Sequence, residues 1–403
     1  MKDFSFSIPQ NIKAGAGSIK LLPELAGELG KKKGFIISGP HLNKIGMVEK
    51  CQKALLEAGI ECDSFTETEA NPSTDTVEKA ADKFRECGAD FIVAFGGGSP
   101  IDVAKAVAVV VTYGGKITEY EGAGKVKGPV VPIIAIPTTA GTGSEVTSFA
   151  VITDKVNNIK YPLADYELTP DIAIIDPTFV MTVPRSVTAD TGMDVLTHAI
   201  EAYVSIMATD YTDALAMKAI QMVFEYLPIS YKGGNSAEVL EAREKMHNAS
   251  CIAGMAFANA FLGVNHSLAH KLGGEFHIAH GRANAILLPH VIEYNATIPS
   301  KFTSFPKYKS YVADKKYAEI AKMLGLKADT TEEGVKSLVE AIRDLMRRLN
   351  VPLTVKECGI DQDRYMAEIE RLAVDAFDDQ CTGANPRLPL ISELADIYRC
   401  IYE

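Results

Sequence analysis

DFIVAFGGGSPIDVAKAVAVVV, residues 90–111, is an apolar run, three adjacent glycines and then a long apolar helix pattern. A short run of this kind closed by glycine reads as a buried strand. Ser99 is the expected N-cap of the helix, with Pro100 at the first helical position and Asp102 three residues after the cap. A strand feeding a helix through such a turn aims free backbone amides and a helix dipole over the glycines. Phosphate is the natural guest there. A tight turn with no ligand is the competing reading, and neither G-x-x-x-x-G-K-[ST] nor G-x-G-x-x-G is present to separate the two.

Outward from this unit the same alternation continues. GFIIS (34–38), CDSF (62–65), VPIIAIP (131–137) and DIAIID (171–176) read as further strands. VEKCQKALLEAG (48–59) and TDTVEKAADKFRECG (74–88) carry apolar residues at three- and four-residue spacing, as amphipathic helices do. The pattern predicts an α/β, Rossmann-like domain over residues 1–183. From Val187 onward strand signals vanish, and stretches such as TDALAMKAIQMVFEYL (212–227) and GVKSLVEAIRDLMRRLN (334–350) predict an all-α domain over residues 184–403.

Two domains suit a chain of 403 residues, and 47% hydrophobic with 23% charged residues is ordinary for a globular protein. A net charge of -11, with only short basic clusters such as Lys31-Lys32-Lys33, argues against a nucleic-acid partner. Seven cysteines with no C-x-x-C pair make neither a disulfide framework nor a zinc ribbon, so reduced thiols are expected. MKDFSFSIPQ lacks the apolar core of a secretory signal, and no apolar run approaches a membrane span. A cytoplasmic protein with no membrane partner is the expectation.

A second glycine-bearing loop, PTTAGTGSEVT (137–147), follows another buried strand and offers Thr138, Thr139, Thr142 and Ser144 as hydroxyl donors. Two such loops after adjacent strands suit a pyrophosphate and tip the first loop toward a ligand. In the helical half, GMDVLTHAIEAY (192–203) sets Asp194 and His198 four apart on one helix face, which alone is more often a core hydrogen bond than a metal site. HSLAHKLGGEFHIAH (266–280) holds four of the eight histidines. His266 and His280 can meet only if the chain turns between them, and Gly273-Gly274 is the expected break. One carboxylate and three imidazoles from Asp194, His198, His266 and His280 would suit a divalent first-row metal, iron or zinc. His270, one turn from His266, reads as a proton relay or a buried structural histidine. His277 sits near the metal or at the surface, and His290 is structural.

GGGSPIDVAK, PTTAGTGSEVT, GMDVLTHAIEAY and HSLAHKLGGEFHIAHG, in this order and spacing, resemble the iron-containing (group III) alcohol dehydrogenase family over essentially the whole chain. The tail FDDQCTGANPRLPLISEL (377–394) is similar to the alcohol dehydrogenase half of bifunctional aldehyde-alcohol dehydrogenases, so a stand-alone alcohol enzyme is expected. The resemblance implies the fold shared with dehydroquinate synthase, an N-terminal dinucleotide-binding domain and a C-terminal metal-binding, catalytic domain. It implies Asp194, His198, His266 and His280 as ligands of Fe2+, with Zn2+ as the alternative. It places Asn71, Gly96, Gly97, Gly98, Ser99, Thr138, Thr142 and Lys160 along the dinucleotide, and Asp102 and Thr139 go with this group. Phe149 in SFAVITD (148–154) and Phe257 in AGMAFANAF (253–261) would line the substrate pocket, with His270 catalytic.

The implied reaction is hydride transfer between nicotinamide and a short-chain primary alcohol or aldehyde of the ethanol or butanol type, its oxygen polarised by the metal. Many NAD-using relatives carry Asp where this chain has Gly39, near His41 and Lys44, so NADP(H) is the expected cofactor and NAD(H) the second choice. A lactaldehyde or 1,3-propanediol oxidoreductase is the alternative within the family. A nucleotide- or metal-binding structural protein is the alternative outside it. A homo-oligomer, a dimer, is the expected assembly.

Overall fold

The computed structural model describes residues 4–156, 159–299 and 311–403. Met1–Asp3, the start of the stretch read above for a signal, lie outside the described residues. The chain divides into two units, residues 1–182 and 183–403.

The first unit runs β1 (Asn11–Ala14), α1 (Leu22–Glu28), β2 (Lys33–Ser38), α2 (Pro40–Lys44), α3 (Met47–Glu57), β3 (Glu61–Phe65), α4 (Thr74–Cys87), β4 (Phe91–Gly96), α5 (Gly98–Tyr113), β5 (Gly122–Ala123), β6 (Ile133–Pro137), β7 (Phe149–Asp154), β8 (Ile159–Ala164) and β9 (Ile172–Ile175). Six strands pair in parallel in the order β1-β9-β6-β4-β2-β3. Successive side chains of a strand leave on opposite faces, and both faces here are covered. Ile92 and Ala94 of β4 pack with Val77 and Phe84 of α4 and Val103 and Val107 of α5. Phe91, Val93 and Phe95 pack with Leu22 and Leu25 of α1 and Val48, Cys51 and Leu55 of α3. Helices on both sides explain why the inner strands β4, β6 and β9 are apolar throughout instead of alternating.

The chain leaves β2 outward to β3 and returns to β4 on the other side of β2, so the winding reverses between β2 and β4. Ser38 and Phe95 are register partners at that point. Gly39 and Gly96, the next residues along each strand, therefore flank the crevice where doubly wound sheets take their ligands.

The five strands read from the sequence are β2, β3, β4, β6 and β9. β1, NIKA, has too little apolar signal to be read as a strand. SFAVITD was read for its phenylalanine; residues 149–154 are β7, antiparallel to β8, with β5 completing a small second sheet.

The second unit is helical, with no strand among its described residues. It contains α6 (Arg185–Val204), α7 (Asp210–Lys232), α8 (Ala237–Ala260), α9 (Val264–Phe276), α10 (His280–Ala296), α11 (Ala313–Met323), α12 (Thr331–Arg348), α13 (Gln362–Phe377) and α14 (Ile391–Cys400). No single helix among the described residues is long and apolar enough to cross a membrane. No disulfide joins any of the seven cysteines.

Two local expectations are corrected. The N-cap of α5 is Gly97, and Ser99 lies inside the first turn with its hydroxyl donating to Ala70 O (2.7 Å). The chain turns at Gly96, at φ +156°, and the helix starts at Gly98, two residues earlier than expected. Likewise α9 runs straight through Gly273-Gly274 and ends at His277, which is left-handed at φ +56°. Gly273 is required by close approach, since a Cβ there would stand 3.0 Å from Ile278 O in the returning loop.

Candidate metal centre and dinucleotide loops

Asp194 and His198 lie one turn apart on α6, His266 on α9 and His280 at the first position of α10. The 277–279 turn brings the last two together. One ligand atom from each of the four lies within 4.8 Å of the others. Asp194 Oδ1 is 3.7 Å from His266 Nε2 and 3.5 Å from His280 Nε2. Four N and O donors about 2.1 Å from one tetrahedral metal stand about 3.4 Å apart, so the donor set fits a divalent first-row cation. Asp194, His198 and His266 are buried, whereas the His280 side chain is 44% exposed and marks the open side.

The imidazoles are held from behind. Glu201, buried on α6, takes His266 Nδ1 at 2.5 Å, which turns Nε2 toward Asp194. Its other oxygen accepts from Asn265 N at 2.7 Å. A carboxylate behind a metal-binding histidine fixes the tautomer and raises the ring's basicity. Burial alone would lower His266, but Glu201 and Asp194 outweigh it and hold its pKa up at about 9. Burial alone would raise Asp194, but His198, His280 and His266 hold it well below the usual carboxylate range. Asn284, one turn along from His280, donates from Nδ2 to Asp194 Oδ1 at 2.8 Å, and Asn265 Nδ2 fixes its amide by donating to Oδ1 at 2.9 Å.

His198 stacks on Phe257 (centroids 4.4 Å) and on His266 (4.7 Å). The Phe257 ring therefore forms an apolar wall against a proposed ligand. His270 stacks on His280 (5.5 Å), and its Nδ1 is 3.1 Å from Asp379 Oδ2, which also pairs with Lys271 at 2.9 Å. Sequence reasoning missed Glu201, Asn284 and Asp379. Glu201 had a signal, because Asp194, His198 and Glu201 follow one another at four and three residues along one face of α6.

In the first unit the two glycine-bearing loops touch. Thr138 N donates to Gly96 O at 2.9 Å. A Cβ on Gly97 would come within 3.3 Å of Thr139 Oγ1, and one on Gly98 within 3.0 Å of Thr142 Cγ2. Larger residues at these glycines would push the threonines away. Lys160 Nζ donates to Asn71 Oδ1 at 2.7 Å, close in sequence to the Ala70 carbonyl that holds Ser99. Both Asp102 oxygens are engaged by the protein, Oδ1 by Ser144 Oγ (2.8 Å) and Oδ2 by Val151 N (3.1 Å). Phe149 begins β7 and gives its carbonyl to Lys105. Gly39 caps α2 in an extended conformation.

Two family models match. That for iron-containing alcohol dehydrogenase covers residues 9–177, and that for the C-terminal part of the Fe-containing alcohol dehydrogenase family covers residues 188–402. An aldehyde-alcohol dehydrogenase of Streptococcus pneumoniae serotype 4 is 50% identical over 84% of this chain and 39% of its own length. The chain thus spans about two fifths of that relative. The NADPH-dependent butanol dehydrogenase of Clostridium saccharobutylicum is 42% identical over 98% of this chain and 97% of its own. Among solved structures, a 1,3-propanediol oxidoreductase superposes with a TM-score of 0.91 at 35% identity, covering 100% of both chains.

Proposed function

Because the chain belongs to the iron-containing alcohol dehydrogenase family, we propose that it interconverts short-chain primary alcohols and aldehydes with a nicotinamide cofactor. The observation that carries this reading is the group of one carboxylate and three imidazoles, buried except for His280, with Phe257 stacked against it. Asp194, His198, His266 and His280 would hold Fe2+, with Zn2+ as the alternative, and Glu201 would keep His266 presenting Nε2. The metal, when bound, supplies Lewis-acid polarisation of the substrate oxygen. Phe257 excludes water and offers no partner to additional hydroxyls, which favours alkyl substrates.

The cofactor's phosphates are assigned to the amides of Gly96, Gly97, Gly98 and Ser99 and to the hydroxyls of Thr138, Thr139 and Thr142. Asn71 and Lys160 are placed beside them, and Asp102 supports the loop. The position of Gly39 at the sheet's reversal supports NADP(H), since no carboxylate there repels a 2′-phosphate. The NADPH dependence of the butanol dehydrogenase relative points the same way. A Cβ at Gly39 would make only an ordinary contact, 3.6 Å from Thr68 O, so a side chain can start there without moving the backbone.

One set of steady-state kinetics tests substrate and cofactor together. Butanal should exceed lactaldehyde in kcat/KM by about ten- to a hundredfold, NADPH should be preferred to NADH, and Gly39→Asp should shift that preference toward NADH. A clear preference for the hydroxylated aldehyde would favour the 1,3-propanediol or lactaldehyde alternative. A strong preference for NADH in the unaltered protein would overturn the cofactor assignment.

His270 is assigned the proton transfer between substrate oxygen and solvent. It stacks on His280 at the exposed side, and Asp379 takes its Nδ1, which leaves Nε2 to exchange the proton. His270→Gln should lower kcat by about a hundredfold and flatten the pH-rate profile while metal content stays at the parent level. An unchanged profile would end the relay. Seven cysteines without a disulfide suit a reducing cytoplasm. A homodimer is the assembly proposed there, with the mass in solution as its check.

A further inference from the structure

The cofactor reading above leaves one buried ammonium unexplained. Lys105 is fully buried on α5, and a buried lysine is costly unless every donor is used. Its Nζ donates to Phe149 O (2.7 Å), Thr147 O (2.8 Å), Ser144 Oγ (3.2 Å) and Thr147 Oγ1 (3.2 Å). All four acceptors belong to residues 144–149, the continuation of the second glycine-bearing loop.

Lys105 completes a series. Gly98, Asp102 and Lys105 follow one another at four and three residues, on one face of α5. That face meets the loop in order. Gly98 lies against Thr142, Asp102 accepts from Ser144 Oγ and Val151 N, and Lys105 gathers Thr147 and Phe149. The helix that opens at the first glycine loop thus dictates the path of the second. Glu145 is also buried, with Oε1 unpartnered among the described residues, and lies close enough to Lys105 to influence its charge. Burial pushes the Lys105 ammonium down to about 8 against the opposing pull of Asp102 and Glu145, so the group stays protonated at neutral pH.

We propose that Lys105, with Asp102, is a positioning residue for dinucleotide binding: it never touches the cofactor but fixes residues 142–149 so that the loop's threonines stay apposed to the glycine turn. This rests on the reading of the two loops as the dinucleotide site. The carbonyls of Thr147 and Phe149 and the hydroxyls of Ser144 and Thr147 converge on one point, and only a multivalent donor serves them together. An apolar residue of the same length would leave Thr147 O without its donor and free the loop to relax.

The test is Lys105→Met in the full-length protein, read by NADPH fluorescence on binding, by metal content and by the KM for the cofactor. The dissociation constant for NADPH should rise about tenfold or more, with metal content at the parent value. Should Lys105→Met fail to fold, Ser144→Ala removes the hydroxyl that both Asp102 and Lys105 engage, and a rise of about threefold or more is expected, again without loss of metal. A folded variant that binds NADPH as tightly as the parent would overturn the proposal, and so would parallel loss of cofactor and metal affinity. If the unaltered protein binds neither NADPH nor NADH, the function assigned to both loops falls as well. Tight parental binding with an insensitive Lys105→Met variant defeats the positioning role alone.

Discussion

His266→Ala should abolish metal content and turnover together. The imidazole does two jobs at once: Nε2 faces Asp194 and His280 within the ligand group, and Nδ1 satisfies Glu201. Loss of Lewis-acid polarisation removes about 4 kcal/mol of transition-state stabilisation, roughly a thousandfold in rate. The same change leaves Glu201, buried and accepting from the Asn265 amide on its other oxygen, without its imidazole. Breaking a buried pair from one side costs about 3–5 kcal/mol, so the melting temperature should fall as well. Glu201→Gln separates the two effects. It keeps every ligand but weakens the hold on His266, and metal affinity should drop about ten- to a hundredfold while the metal can still be restored at high concentration. Elemental analysis after desalting and after add-back reads both variants. Full metal content and turnover in His266→Ala would remove His266 from the centre.

The contrast between these two residues also shows what could be read from the chain. His266 announced itself because histidines are scarce and four of them crowd one stretch. Glu201 is one of many glutamates, and its role depends on α9 crossing α6, a contact with no local sequence signal. Asp379 is farther still: it reaches His270 from a turn after α13, 109 residues away. The tail that carries it was recognisable as a family motif, yet what it does is hold α9. Asn385 from the same tail accepts from Val264 N and pairs with Asn295 on α10.

The βα pattern of the first unit was legible for a different reason, because parallel strands buried on both faces must be continuously apolar, as FIVAF and IIAI are. β1 and the small second sheet escaped because edge and half-exposed strands need no such run. The glycines misled most. In Gly273-Gly274 the sequence suggests a helix breaker, whereas α9 uses Gly273 to admit the carbonyl of Ile278. A glycine's missing Cβ and its freedom of φ leave the same letter in the sequence, and only the packing tells them apart.

Gly281 is the sharpest case of the missing Cβ, and its replacement should be the most damaging single-methyl change in the helical unit. A Cβ there would stand 1.9 Å from Asp190 O and 2.6 Å from its carbonyl carbon. The obstacle is backbone inside α6, so no side-chain rotation relieves it. α10 must move away from α6, and the residue before Gly281 is His280, whose Nε2 lies 3.5 Å from Asp194 Oδ1 on that same α6. The residue after it is Arg282, paired with Asp190 at 3.1 Å. Forced overpacking commonly costs 1–3 kcal/mol, and a backbone clash belongs at or above the top of that range, about 3 kcal/mol or more. Gly281→Ala should therefore lower the melting temperature by several degrees at least. Metal affinity should fall too, although all four proposed ligands remain. Arg282→Ala is the control, because it breaks the pair with Asp190 without moving a backbone, and it should cost about 1 kcal/mol or less with metal affinity preserved. Thermal melts with and without added metal compare the two. A Gly281→Ala protein that melts with the parent and keeps its metal would show that α6 and α10 do not approach as closely as this crossing requires, and the placement of His280 beside Asp194 would fall with it.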